Sequence, residues 1–284
     1  MASGIAGIDH AIIGVRDLER ARASYQRLGF RLTPRGRHAG WGTANYCLMF
    51  PADYIELLGV IERGEVPAGL ARFLAEREGL LGLALRTTDP EATRAAWADA
   101  GLEPDDVADL RRLLEPDVEL RFQNVMLDPA ATAGVPLFAC AHLTPEPMRS
   151  PAWLDHPNGA CGIASITAVV EDPAAVYPTM AKVFGAASLT ETDDTLAVHT
   201  GTAVLMFATP DDLDMLHPEL DASWIEGEPM LAALTVLVRD LAATADLLET
   251  NGVPHRRHPG GAIGVAPAHA HGVMLEFVLA NVTS

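Results

Sequence analysis

Apolar, β-branched runs recur four times along this chain, each followed by an aspartate, a segment with helical spacing and a glycine or its neighbour. The stretches are GIDHAIIGVRDLERARASYQRLGF (7–30), GLLGLALRTTDPEATRAAWADAGL (79–102), GIASITAVVEDPAAVYPTMAKVFG (162–185) and MLAALTVLVRDLAATADLLETNG (230–252). The apolar runs read as strands. The aspartates at 17, 89, 172 and 240 each stand where a side-chain oxygen caps the helix that follows. In the first stretch Leu18, Ala21, Tyr25 and Leu28 recur at helical spacing, which predicts a helix over 18–28 with one apolar face, ended by Gly29. Three short strands are expected next, at Phe30–Thr33, Ala44–Phe50 and Tyr54–Val60, so the unit is β-α-β-β-β.

The later units follow the first. Asp89 and Gly101 are shifted from Asp17 and Gly29 by the same 72 residues, and Trp97 takes the place of Tyr25. The last strand of the second unit is expected at Val135–Ala141. HTGTAVLMF (199–207) echoes WGTANYCLMF (41–50), and the fourth unit ends in GVMLEFVLA (272–280). Repetition of this kind sets the architecture before any single residue is weighed. The chain is α+β, with modules one and two in a domain over 1–145 and modules three and four in a domain over 160–284. Between them His142–Gly159 reads as a proline-rich linker with turns, and the acidic loop Asp211–Glu228 as solvated.

Composition narrows the partners. With 20 Lys+Arg against 38 Asp+Glu the chain carries a net charge of −18, which repels nucleic acid and anionic lipid. The opening MASGIAGIDH lacks the basic and apolar regions of a secretory leader, so a cytoplasmic location is expected. Cys47, Cys140 and Cys161 are too scattered for a disulfide framework and are expected to be reduced. No GxSxG elbow, CxxC pair or P-loop occurs, and PGGAIG (259–264) lacks the order of a dinucleotide loop.

Paired βαβββ modules with a His in the first strand and a Glu in the last, here DHAIIGVRDLERARASYQRLGF with YIELL and the terminal GVMLEFV, resemble the vicinal oxygen chelate superfamily. That group includes glyoxalase I, bleomycin-resistance proteins, methylmalonyl-CoA epimerase and extradiol dioxygenases. HLTPE (142–146) followed by HPNGA (156–160) is similar to a bacterial glyoxalase-like subgroup. The resemblance implies two half-barrel, glyoxalase-like domains whose modules close into a cup with a divalent metal at its floor. It also implies ligands on the first and last strands. In module one these positions are His10 and Glu56. Module two has Gly82 and no carboxylate, module three has Ser165 and no acid, and module four has Ala233 but keeps Glu276.

A carboxylate in the apolar context YIELL is costly unless paired, hydrogen-bonded or metal-bound, and His10 with Glu56 supplies such a partner. The pattern of losses favours pairing module one with module four, because this collects His10, Glu56 and Glu276 in one cup. Under pairing of one with two, Glu276 is isolated, and His142 is the competing third contributor. His38, Asn45 and His142 are candidate substrate contacts, Tyr46 a polar cup contact or else a core residue, and His156 a turn residue. Of His255, His258, His269 and His271, most are expected to face solvent, with His269 or His271 able to reach over a shared cup.

A His/Glu/Glu set would hold a divalent Fe, Mn, Ni, Co or Zn ion. The chemistry that follows is that of a lyase or isomerase of glyoxalase or epimerase type, acting on a small oxygen-chelating substrate through a metal-stabilised enolate, with Glu56 or Glu276 as base. A metal-free binding or resistance protein and an Fe(II) ring-cleaving dioxygenase are the alternatives. Ser165 and Ala233 argue against the dioxygenase site in the C-terminal half. A chain of four modules can act alone or as a homodimer.

Overall fold

In the computed structural model, residues 4–61, 65–192, 194–217 and 230–280 are described. The strands are β1 (Ile8–Val15), β2 (Gly36–His38), β3 (Thr43–Met49), β4 (Tyr54–Val60), β5 (Gly79–Arg86), β6 (Ala108–Leu114), β7 (Val118–Met126) and β8 (Leu137–His142) in the first half. In the second half they are β9 (Ala160–Val169), β10 (Leu189–Glu191), β11 (Thr195–His199), β12 (Val204–Ala208), β13 (Met230–Val238), β14 (Arg256–Arg257), β15 (Ile263–Val265) and β16 (Met274–Leu279). The helices are α1 (Leu18–Arg27), α2 (Ala68–Glu76), α3 (Pro90–Asp99), α4 (Pro151–Leu154), α5 (Pro173–Phe184), α6 (Pro210–Leu216) and α7 (Leu241–Thr250).

The four aspartates do one job. Asp17, Asp89, Asp172 and Asp240 accept hydrogen bonds from the first-turn N–H groups of α1, α3, α5 and α7. Each such cap contributes about 1 kcal/mol. Gly29 and Gly101 follow α1 and α3 with φ of +86° and +81°, a backbone region that a side chain would strain. Leu18, Ala21 and Tyr25 are the buried face of α1. β1 is buried along its full length because one side faces the cup and the other the packed interior.

Within every module the first strand lies parallel to the last: β1 with β4, β5 with β8, β9 with β12 and β13 with β16. The modules then join in the order one with two and three with four. β1 runs antiparallel to β5, and β2 meets β6, so the first eight strands close into a barrel ordered β1-β4-β3-β2-β6-β7-β8-β5. The other eight form an open sheet, β10-β11-β12-β9-β13-β16-β15-β14, joined through β9 and β13. The expected pairing of module one with module four is therefore overturned. Long backbone ladders between successive modules decide the pairing, and the fate of a ligand position has no influence on them.

Two local expectations also change. Phe30–Thr33 forms no strand; the second strand begins at Gly36, after Pro34, which has no N–H to give to a ladder. Part of the acidic loop is α6, while 218–229 lies outside the described residues. Among the described residues no helix is long and apolar enough to cross a membrane.

The halves are not independent bodies. One hydrophobic cluster runs from Ile13 and Tyr25 through Trp97 to Phe184, Val236 and Phe277. Specific hydrogen bonds cross the same boundary: Tyr25 Oη to the Ala270 carbonyl at 3.1 Å, Trp97 Nε1 to the Val183 carbonyl at 3.1 Å, and Ile8 N–H to Thr202 Oγ1 at 3.1 Å. His156 pins the connector by accepting from Arg31 N–H at Nδ1 (2.9 Å) and meeting the Met49 carbonyl through Nε2 (2.8 Å).

Asp53 belongs to this seam. It is buried and accepts the Ile163 N–H at 3.1 Å. Burial pushes its carboxyl up to about 7, against the Ile163 N–H and the Arg86 and Arg149 charges, which pull it down. The folded state therefore binds this proton more tightly than the unfolded chain, whose carboxyl titrates near 3.8, and stability falls as pH rises through that window. Asp53→Asn keeps the acceptor without the charge. Its melting temperature is expected to exceed that of the unsubstituted protein by several degrees more at about pH 8 than at about pH 4. A difference independent of pH would refute this account.

Candidate metal centre

A cavity of about 1320 Å³ opens from the barrel and is walled also by α2 and by Met230, Leu231 and Gly272 of the second half. His10 from β1, His38 from β2, Tyr54 and Glu56 from β4, Arg112 from β6 and Phe122 from β7 face it. These side chains converge because the strands of one barrel each send alternate residues inward.

Glu56 is the centre of the group. It is 5% exposed, and Asn45 on β3 donates from Nδ2 to its Oε1 at 2.5 Å. His10 Nε2 lies 3.4 Å from Oε2, and His38 Nε2 lies 3.7 Å from Oε1. Burial alone would raise this carboxyl; the facing His10, His38 and Arg112 and the Asn45 amide outweigh it and hold Glu56 below its usual range. His38 is pushed down to about 4, chiefly by burial and further by Arg112 and His10, so its ring is neutral at pH 7. Its Nδ1 is engaged by Thr43 Oγ1 at 2.9 Å, which leaves Nε2 to the cavity.

His10 is oriented from behind. Asp9 Oδ2 lies 2.8 Å from His10 Nδ1 and 2.9 Å from His142 Nε2, while Arg86 Nε is 3.5 Å from Oδ1. Adjacent residues on a regular strand point to opposite faces, but the β1–β5 register shifts between Ile8 and His10, and this bulge lets Asp9 reach the imidazole beside it. Burial opposes the charge on Asp9, yet hydrogen bonds from His10 and His142 hold its carboxyl far below the usual range. Tyr54 stacks on the His10 ring at 4.4 Å and fixes its plane. With Nδ1 committed to Asp9, His10 presents Nε2 toward Glu56.

The spacing of each imidazole from the Glu56 carboxylate suits two ligands of one divalent ion, His10 at Oε2 and His38 at Oε1. Ligand atoms at about 2.0–2.2 Å from a shared ion stand roughly 3.0–3.5 Å from one another. The 3.4 and 3.7 Å separations in the barrel are close to that range and too long for a good hydrogen bond. A carboxylate behind a ligating imidazole is the usual second partner of such a site. Asp9, Cys140 and His142 form another grouping, with ligand atoms within 4.8 Å of one another. There, however, the carboxylate already serves two imidazoles and a guanidinium, and burial pushes the Cys140 thiol well up, so it stays protonated.

Of the residues singled out in the sequence, the barrel brings His10, Glu56, His38 and Asn45 together, and His142 joins through Asp9. Glu276 stands in the open sheet, where its neighbours are Thr235, His217 and His258. Its convergence with His10 and Glu56 required module one to pair with module four, which the sheet order rules out. His258 is buried, against the expectation of solvent, while His269 is exposed and His271 turns to Glu78 and Ser24. Tyr46 is no cup contact: it is buried outside the cavity lining and donates to Glu19 Oε1 at 2.7 Å.

Sequence reasoning missed Asp9 and Arg112. Asp9 adjoins His10, but only the bulge turns it inward. Arg112 sits opposite His38 in the β2–β6 ladder, a pairing between modules that no local pattern announces. Its guanidinium is buried, stacks over Phe122 and meets the sulfurs of Cys47 and Met148 at 3.5 and 2.7 Å.

If Asp9 orients His10, Asp9→Asn lowers the affinity of the protein for Zn²⁺ or Co²⁺ by about 10–100-fold. Calorimetric titration checks this, with circular dichroism as the control for folding. Unchanged affinity would reduce Asp9 to a structural role.

A model described as a glyoxalase-like domain matches residues 8–184. No curated protein matches the sequence. Among solved structures, a hypothetical protein from Staphylococcus aureus superposes with a TM-score of 0.69 at 14% identity, covering 96% of this chain and 99% of that one. A xylose isomerase-like TIM barrel/4-hydroxyphenylpyruvate dioxygenase fusion protein superposes at 0.63 and 13% identity, over 100% of this chain and 50% of its own. A mutant of 4-hydroxymandelate synthase from Streptomyces coelicolor gives 0.58 at 14% identity, over 98% and 93%. At these identities the likeness is one of fold. The family match over 8–184, together with four βαβββ modules, identifies the chain as a member of the glyoxalase-like family within the vicinal oxygen chelate superfamily.

Proposed function

We propose that this protein is a divalent-metal-dependent enzyme of glyoxalase, epimerase or lyase type, and that His10, His38 and Glu56 hold its ion in the barrel. The observation that carries this reading is His10: Asp9 binds its Nδ1, and its Nε2 faces a buried carboxylate. When bound, the ion supplies Lewis acidity to a substrate offering two adjacent oxygens.

The protein's own groups do the rest. The Asn45 amide holds Glu56 Oε1, so Oε2 is the oxygen directed toward His10. Because its surroundings, the Arg112 charge and the Asn45 amide among them, keep Glu56 ionised, it can accept a proton from the carbon beside a substrate carbonyl. Arg112 places a fixed positive charge at the same wall of the cavity, opposite His38, where an oxyanion is stabilised. Leu58, Phe73 and Phe122 give the cavity an apolar lining.

A second reading, an Fe(II) oxygenase, is favoured by the donor set itself. Two imidazoles and one carboxylate are the ligands of non-haem iron oxygenases, and two structures of like fold are named for a dioxygenase and a hydroxymandelate synthase.

Metal analysis of the purified chain is expected to find an ion that is lost in His10→Ala. With that ion bound, solvent deuterium should enter a 2-oxo acid or 2-acyl thioester at the carbon beside the carbonyl, and Glu56→Gln, which removes a ligand and the base together, should slow the exchange by about 100-fold or more. Oxygen uptake on a panel of vicinal diols and 2-oxo acids, abolished by His10→Ala, would replace this reading with the oxygenase. A barrel that binds small molecules but no ion would replace it with a binding protein.

A further inference from the structure

Another set of ligating side chains stands in the open sheet. Glu276 on β16 is buried, and Thr235 on the adjacent β13 donates to its Oε2 at 3.2 Å. His217, just after α6, brings Nδ1 to 2.9 Å from the same oxygen, while its Nε2 lies 2.8 Å from Thr167 Oγ1 on β9. His258, between β14 and β15, brings Nε2 to 3.9 Å from Glu276 Oε1.

The hydrogen-bond accounting of these residues does not close. His217 Nδ1 and both ring nitrogens of His258 are buried without a hydrogen-bond partner. His258 is only 8% exposed, so solvent does not satisfy it. A buried imidazole normally has at least one nitrogen engaged, because an unmade bond carries the full desolvation penalty. The His217 nitrogen stands close to its carboxylate oxygen yet makes no hydrogen bond, and the His258 nitrogen, at 3.9 Å, is beyond hydrogen-bond reach. A shared cation resolves this, since it takes a lone pair from each.

The repeat supplies an independent argument. His38 and Glu56 are separated by 18 residues (56−38), and so are His258 and Glu276 (276−258). Each residue of the second pair lies 220 positions after its counterpart. The geometry repeats as well: His38 Nε2 to Glu56 Oε1 is 3.7 Å, and His258 Nε2 to Glu276 Oε1 is 3.9 Å. In the barrel the second imidazole comes from β1. In the sheet that strand position is Ala233, and His217 supplies a second imidazole from a different element.

We propose that His217, His258 and Glu276 form a second metal site, separate from the one in the barrel. Two imidazoles and one carboxylate select a transition ion of the Zn²⁺, Co²⁺, Ni²⁺, Mn²⁺ or Fe²⁺ class over Ca²⁺ or Mg²⁺, which need more oxygen ligands. Thr235 holds the carboxylate, and Thr167 fixes the His217 ring so that Nδ1 faces Glu276, the outer support such a site requires.

The test uses the full-length chain freed of metal by chelation, with Co²⁺ as probe. Glu56→Gln disables the barrel site without touching the sheet. In that background one Co²⁺ per chain is expected, with visible ligand-field absorption. Adding Glu276→Gln, which is isosteric, should abolish the absorption and weaken binding by about 100-fold or more, as should adding His258→Gln. Glu276→Gln alone should retain one ion, the one in the barrel, so failure at either site is read separately. The proposal is overturned if the Glu56→Gln protein binds no Co²⁺, or if its Co²⁺ spectrum and affinity survive both additional substitutions. If one of these variants does not fold, as judged by circular dichroism, the other decides.

Discussion

The Asp9 carboxylate is the constraint on which the barrel site depends. It is an ionised group with almost no contact with water, and it persists because His10, His142 and Arg86 surround it. A buried charge of this kind is stable only when its partners are in place. Those partners come from β1, β8 and the end of β5, so the buried cluster forms only when the strands of two modules have paired with one another. The same contact leaves His10 with one free nitrogen, aimed at Glu56. Pairing of the first two modules and orientation of the His10 ring are therefore coupled.

The two halves show how one module gives different results. In the first half β2 meets β6 and the sheet closes. In the second, the corresponding strands are Leu189–Glu191 and Arg256–Arg257, and they end as the two edges of an open sheet. Arg256 and Arg257 are exposed there, as charged residues are on edges that must not pair with other chains. Yet a His–Glu pair at the same spacing is present in both halves. The pair belongs to the module, whereas the enclosing barrel belongs to the longer β6 and β7 of module two.

Much of the fold was legible in the sequence because its causes are local. Asp17, Asp89, Asp172 and Asp240 cap helices through contacts spanning two or three residues. β1 and β4 have the bounds that their apolar patterns predict. His10 and Glu56 were paired in the sequence by the resemblance, which implies ligands on the first and last strands, and by the cost of a lone carboxylate in an apolar strand. His258 was misjudged as solvated. Its 18-residue spacing to Glu276 matches that of His38 to Glu56 and was visible all along, but its meaning depends on knowing that both histidines turn inward.

The sequence by itself determined the repeating module, its helix caps, its strand pattern and the residue types able to bind an ion, since each of these arises from neighbours along the chain. Only the tertiary structure decided which modules pair, that Glu276 and Glu56 stand in different sheets, that Asp9 turns inward at a bulge, and that Arg112 lies across from His38. These are set by hydrogen-bond ladders and packing between segments far apart in the chain, where periodicity and spacing carry no information.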